Sequence, residues 1–184
     1  EDVVVTNAAV GDFTGSDDTY RFVLSPIGDG LFSCAIGIGT FMDLAGNTNA
    51  LESNTVSRTY DGTGPSATLS SADPDPTNGA VTVDVALSES SSTFGLEDVT
   101  PTNANLDGFA GSDMTYSFVM TPVAEGVFSC VVEAGSFSDL VGNTNALASA
   151  PLARTFDVTP PTATLSSAAG AYVNGPITVE VALD

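Results

Sequence analysis

Asp43 and Asn47 share one short loop, and Asp61 follows in the next linker; the same three side chains recur as Asp139, Asn143 and Asp157. Carboxylate and amide oxygens are what Ca²⁺ takes, in sets of roughly six to eight. If loop and linker converge at a domain junction, each trio supplies part of such a shell, and Ca²⁺ is the one cofactor with a physical basis here. Asp and Asn are also ordinary turn formers whose side chains bond nearby backbone. There is no EF-hand spacing and no Gly-rich Asp repeat, so both readings stand at this point.

Other chemistries have little to work with. The chain has no His, no Lys and no Trp, and its only cations are Arg21, Arg58 and Arg154. No Gly-rich phosphate loop follows a strand. Acid pairs such as Asp17-Asp18 and Glu97-Asp98 suggest glycosidase carboxylates on paper. Adjacent acids on a strand or turn point apart, however, and the expectation is that the protein is not an enzyme. Cys34 and Cys130 occupy one position in two related segments, each on a strand face with Phe32 and Ile36 or with Phe128 and Val132. They read as small buried hydrophobes.

Twenty-three acids against three cations leave a net charge of −20, which repels phosphate backbones and excludes a nucleic-acid partner. With 42% hydrophobic and only 14% charged residues, the chain is still a folding sequence and not an acidic disordered tail. No apolar stretch approaches the ~20 residues of a spanning helix, so membrane insertion is not expected. An acidic surface otherwise built of Ser, Thr, Asn and Gly suits an extracellular or cell-surface setting, where salt and divalent cations screen self-repulsion.

The elements that must position these side chains follow from an ungapped repeat of 96 residues: residues 1–88 align with 97–184, and 48 of the 88 pairs are identical. Gly46–Leu51 returns as Gly142–Leu147, and Arg58-Thr59-Tyr60-Asp61 returns as Arg154-Thr155-Phe156-Asp157. Val81–Leu87 alternates apolar and polar side chains, as a half-buried strand does. Further strands are expected at Pro65–Ser70, around Asp98–Pro101 and Asn105–Phe109, and at Thr115–Met120, Val127–Glu133 and Leu152–Phe156. Seven short strands at this spacing predict an all-β chain of tandem immunoglobulin-like β-sandwiches in a rod-like array. The divisions expected are 1–63, the C-terminal part of a repeat; 64–159, a complete repeat; and 160–184, the first two strands of the next, Ala163–Ser167 and Ile177–Leu183. Only Glu89–Leu96 has no counterpart. An unfinished sandwich leaves an open cleft and bare strand edges, so self-association head to tail through 160–184 and 1–63 is expected, or covalent continuation of a longer array.

The segment Phe41-Met42-Asp43-Leu44-Ala45-Gly46-Asn47-Thr48-Asn49 and its copy Phe137–Asn145 resemble the Asp-x-Ala-Gly-Asn loop of bacterial immunoglobulin-like repeat domains. Pro160-Pro161-Thr162-Ala163-Thr164-Leu165-Ser166 and Asn174-Gly175-Pro176-Ile177-Thr178-Val179 resemble the opening strand and following turn of those repeats. The resemblance implies an extender or stalk module of a large surface adhesin or secreted array protein, with Ca²⁺ at domain junctions in some relatives. The function expected is a structural segment of an extracellular filament, stalk or adhesin. A carbohydrate- or surface-binding module is the alternative; it needs exposed aromatics, and Tyr172 stands apart from the inward Phe22, Phe32, Phe118 and Phe128.

Overall fold

The alternation in Val81–Leu87 puts four aliphatic side chains on one strand face. The computed structural model, which describes residues 2–184, buries those four and exposes the three between them. Glu1, the first residue of the expected 1–63 unit, lies outside the described residues. In chain order the strands are β1 (Val3–Thr6), β2 (Ala8–Ser16), β3 (Thr19–Pro26), β4 (Gly30–Ile36), β5 (Val56–Tyr60), β6 (Ala67–Ser70) and β7 (Val81–Leu87). A 3-10 turn at Leu96–Asp98 leads into β8 (Val99–Thr102), β9 (Ala104–Ser112), β10 (Thr115–Pro122), β11 (Gly126–Val132), β12 (Leu152–Phe156), β13 (Ala163–Ser166) and β14 (Glu180–Leu183).

Strands β6 to β12 build one sandwich. A four-stranded sheet in the order β6-β7-β10-β9 packs against a three-stranded sheet in the order β12-β11-β8, with antiparallel neighbours throughout. This four-plus-three arrangement is that of a seven-stranded immunoglobulin-type sandwich. Its core joins Val81, Val83, Val85, Leu87, Phe118 and Met120 from one sheet to Phe128, Cys130 and Val132 from the other.

Glu89–Leu96, which has no repeat counterpart, closes one end of that core. Phe94 is buried with its ring centroid 5.0 Å from Tyr116 and 5.1 Å from Phe137, the latter nearly perpendicular at 76°. Such edge-to-face pairs add to plain area burial. The backbone of the plug is held as well: Tyr116 donates its hydroxyl to the Ser91 carbonyl (3.0 Å), and Ser91 donates to the Ser138 carbonyl (2.6 Å).

The flanking strands repeat parts of this plan. A β1-β4-β5 sheet and a β2-β3 pair correspond to β8-β11-β12 and β9-β10 of the sandwich. Hairpin β13–β14 corresponds to β6–β7 in the same register, since Ala67 pairs with Leu87 and Ala163 with Leu183. One expected strand is shorter than its sequence suggests: Ile177–Leu183 is extended pairing only from Glu180 onward. The equivalents of the missing positions, Val81, Thr82 and Val83, pair with β10 and not with β6. Among the described residues, hairpin β13–β14 forms a two-stranded sheet with no strand in the place of β10, so those three residues have no ladder to join there.

Phe94→Ala is expected to destabilise the central sandwich by about 3–5 kcal/mol. Guanidinium unfolding followed by far-UV circular dichroism checks this; an unchanged midpoint would contradict the plug.

Candidate functional site

An Asp followed by a small loop and an Asn can turn its carboxylate onto the loop's own amides, and both copies of the motif do so. Asp139 Oδ1 accepts the N–H groups of Val141 (2.9 Å), Gly142 (2.6 Å) and Asn143 (2.9 Å), while Oδ2 accepts from Asn143 Nδ2 (2.8 Å). Asp43 Oδ1 accepts from Ala45 and Asn47, both 2.9 Å, and Oδ2 from Asn47 Nδ2 (2.9 Å). Gly142 has φ +99°, a left-handed conformation open to Gly and strained for other residues. The hydrogen bonds hold the Asp43 carboxyl below the usual range, the Asn47 side chain contributing most. Burial pushes Asp139 upward, but the bonds from Asn143, Val141 and Gly142 outweigh it and the net shift is down.

Asn145 fixes the rest of that loop. It is fully buried, accepts from the Phe137 N–H (3.1 Å), and donates to the carbonyls of Glu133 (2.7 Å) and Leu147 (3.3 Å). Asn49 makes the matching contacts to Phe41, Gly37 and Leu51.

The linker then lies against this loop. Asn143 Nδ2 donates to the Asp61 carbonyl (3.1 Å), and Pro65 is buried. Gly64 passes so close that a Cβ there would stand 2.1 Å from the Thr144 carbonyl oxygen. From the other side, Asp29 accepts the Gly62 N–H (2.7 Å) and the Thr63 hydroxyl. The outcome is a carboxylate cluster: oxygens of Asp61, Glu89 and Asp139 lie within 4.8 Å of one another. Burial and the negative charges of Asp61, Asp139 and Asp29 raise the Glu89 pKa.

The expected trios are therefore regrouped. Asp61 meets Asp139 and Asn143, while Asp43 and Asn47 form a local pair of their own. Asp157 accepts the Thr159 N–H (2.9 Å), and Glu125, in the position equivalent to Asp29, accepts from Val158 (2.9 Å) and Thr159 (3.0 Å). Glu89 escaped the sequence reading because it opens the segment that the repeat does not match.

Elsewhere the structure gives plainer roles. Burial raises the Cys130 thiol pKa to about 11, as befits an inert core residue, and Cys34 is half-buried. Asp98 accepts the Gly95 N–H (2.8 Å), tying down the 3-10 turn. Tyr172 is 98% exposed in the β13–β14 connection, beside a concavity lined also by Asn174, Ile177 and Glu180. The equivalent connection in the sandwich lies along β12, where Thr77 donates its N–H to Thr155 (2.8 Å) and Asp157 donates to Thr77 (3.0 Å). The concavity is thus the uncovered underside of a loop.

A family model, bacterial Ig-like domain, matches residues 61–155. No curated protein and no solved structure matches the chain. Among the described residues, no helix is long and apolar enough to cross a membrane.

Asn145→Ala leaves the Leu147 carbonyl and the Phe137 N–H without partners and the Glu133 carbonyl with the Ser136 hydroxyl alone, and a loss of about 3 kcal/mol is expected in chemical denaturation. Acid provides a second check. The Asp139 carboxyl ionises below its unfolded value, so its contribution to stability is present above that value and vanishes as pH falls through the folded one. Asp139→Asn should flatten the acid limb of a stability–pH curve; an unaltered limb would contradict the assignment.

Proposed function

The chain belongs to the bacterial Ig-like domain family, and from that premise we propose that it is a structural repeat segment of an extracellular filament, stalk or adhesin. The observation that carries this reading is the clamped linker. Asp29 holds Gly62 and Thr63 from the preceding half-sandwich, and Asn143 and the Gly64 contact hold the same few residues from the following sandwich. A linker gripped from both sides transmits orientation from one unit to the next, which a freely jointed linker does not. Bacterial Ig-like domains are a non-catalytic domain type, in keeping with a mechanical role.

In this reading Ca²⁺ completes the junction. Asp61, Glu89 and Asp139 bring three carboxylates together with Asp29 nearby. A divalent cation would relieve that repulsion and draw carboxylates from linker, plug and loop onto one centre. Only ionised carboxylates bind the cation, so affinity falls as pH drops into the range where carboxylates take up protons.

Small-angle scattering tests both parts. The chain should be an extended particle whose flexibility falls with Ca²⁺ and rises in EDTA. Gly64→Val, which drives a side chain into the Thr144 carbonyl, should be flexible in either condition. A globular envelope would overturn the rod; an envelope indifferent to Ca²⁺ would overturn the metal role alone.

A further inference from the structure

The dipeptide Asp-Gly occurs three times in the chain, at Asp29-Gly30, Asp61-Gly62 and Asp107-Gly108. An aspartyl side chain followed by a residue without a Cβ is open to attack by the next backbone nitrogen. The fold gives the three copies different surroundings. The Asp29 carboxylate is held by the Gly62 N–H (2.7 Å) and the Thr63 hydroxyl, far along the chain from Gly30. At Asp61-Gly62 the glycine amide is thereby engaged, and the Asp61 carboxylate accepts the Thr63 N–H (3.2 Å). At Asp107-Gly108 the glycine N–H lies on the carboxylate of the residue before it, with Gly108 N 2.7 Å from Asp107 Oδ1.

A β-bulge sets up that contact. Strand β9 is the outer strand of its sheet, and its pairing with β10 shifts between Val119–Asp107 and Ser117–Ala110, so Gly108 and Phe109 together face Phe118. The extra residue turns Gly108 to φ +65°, in the left-handed region, and brings its N–H to the Asp107 side chain. Asp107 and Gly108 are both exposed. The repeat counterpart of this bulge reads Gly11-Asp12, the reverse order, so the arrangement is peculiar to the central sandwich.

We propose that Asp107 is a site of spontaneous backbone isomerisation, with Gly108 N as the nucleophile. The side-chain Cγ is one bond from Oδ1 and so no farther than about 4 Å from that nitrogen, near the separation from which such groups react. Rotation of the carboxyl group converts the hydrogen-bonded pair into the reacting one. The bond from Gly108 N to Cγ forms as the bond from Cγ to the hydroxyl of the protonated carboxyl breaks. That hydroxyl departs as water with the Gly108 amide proton. Water then opens the cyclic imide: cleavage at Cγ restores aspartate, and cleavage at the backbone carbonyl leaves isoaspartate, whose main chain runs through Cβ and Cγ. Composition is unchanged, no oxidant or cofactor takes part, and the main chain gains one atom. The added atom enters beside Phe109, whose ring stacks on Tyr116 at 5.5 Å and lies 6.0 Å from Phe94, so conversion loosens the aromatic end of the core. The inference depends on neither the stalk reading nor Ca²⁺.

Prolonged incubation of the 184-residue chain tests it, followed by peptide mapping with fragmentation that separates isoaspartate from aspartate. In the native protein isoaspartate should accumulate at Asp107 about tenfold faster than at Asp29 or Asp61, because only there does the fold orient the reacting pair. In guanidinium the three rates should converge. Asp107→Asn, from which ammonia leaves in place of water, should convert on the order of tenfold faster than the parent and gain a negative charge visible on isoelectric focusing. Asp107→Glu keeps the charge but requires a larger ring, and should not convert. Position 107 is exposed, so both variants keep the fold, as circular dichroism would verify. The isoaspartate fraction should unfold at lower denaturant than the unconverted one; equal midpoints would overturn the loosening at Phe109. Equal rates at the three sites in the native chain, or a lead at Asp107 that persists in guanidinium, overturns the proposal. Either outcome leaves the scattering response to Ca²⁺ untouched, so failure here is distinct from failure of the proposed function.

Discussion

Whether one face of β7 meets protein or water governs the behaviour of every other part of this molecule. Val81, Val83, Val85 and Leu87 stand between the sheets, and burying each fully is worth about 1.5–3 kcal/mol. That sum is comparable to the net stability of an entire small domain. Phe118 and Met120 beside them in the same sheet, and Phe128 and Cys130 across from them, depend on those four side chains for their own exclusion from water. In β1–β5, over which no such hairpin lies among the described residues, hydrogen-bonded pairing persists yet the apolar face is only partly covered. Backbone pairing builds the sheets, and the first hairpin turns two sheets into a core.

At the sandwich ends, polar groups meet a different constraint. A tight loop that folds inward leaves amides without water, and the Asp–Asn motif supplies the missing acceptors from within the loop. This restricts what a cation would find. Three amides already occupy Asp139 Oδ1, so the freer donors are Asp139 Oδ2, Asp61 and Glu89. Asp139 thus shapes the loop through both oxygens while its carboxylate also lies beside those of Asp61 and Glu89.

The repeat and the period-two alternation made much of the architecture readable in advance. Strand β12 falls where expected, the inward residues of β7 are the buried ones, and β10 and β11 differ from expectation only at their ends. Local pattern suffices there because alternation is set by the strand itself. Phe94 was invisible for the opposite reason: its role comes from Tyr116 and Phe137, both distant in sequence, and no repeat copy drew attention to it. The carboxylate cluster was only half legible. Repeat logic joined Asp61 to the loop that precedes it, whereas the chain crosses the junction first and then meets the next loop, at Asp139 and Asn143. Ile177–Val179 show the remaining limit, since a good strand sequence stays outside the ladder where no neighbouring strand lies beside it among the described residues.

The shared register of β6–β7 and β13–β14 also bears on how the chain reaches its native state. Most of the sandwich's pairings join strands far apart in sequence, so the chain must search before long-range contacts reward it. During that search two nearly interchangeable hairpins and two similar acceptor strands, β3 and β10, coexist in one polypeptide. Hairpin β6–β7 captured by β3 would be a well-paired mistake, slow to undo because every wrong contact resembles a right one. Divergence at Arg21, Ser117, Asp84 and Glu180 leaves that competition open, since Arg21 attracts either acid, whereas the Phe94 plug follows only β7 and meets Phe137 only in the correct sandwich. The plug is then a kinetic arbiter, rewarding the right partner after the strands themselves have failed to discriminate.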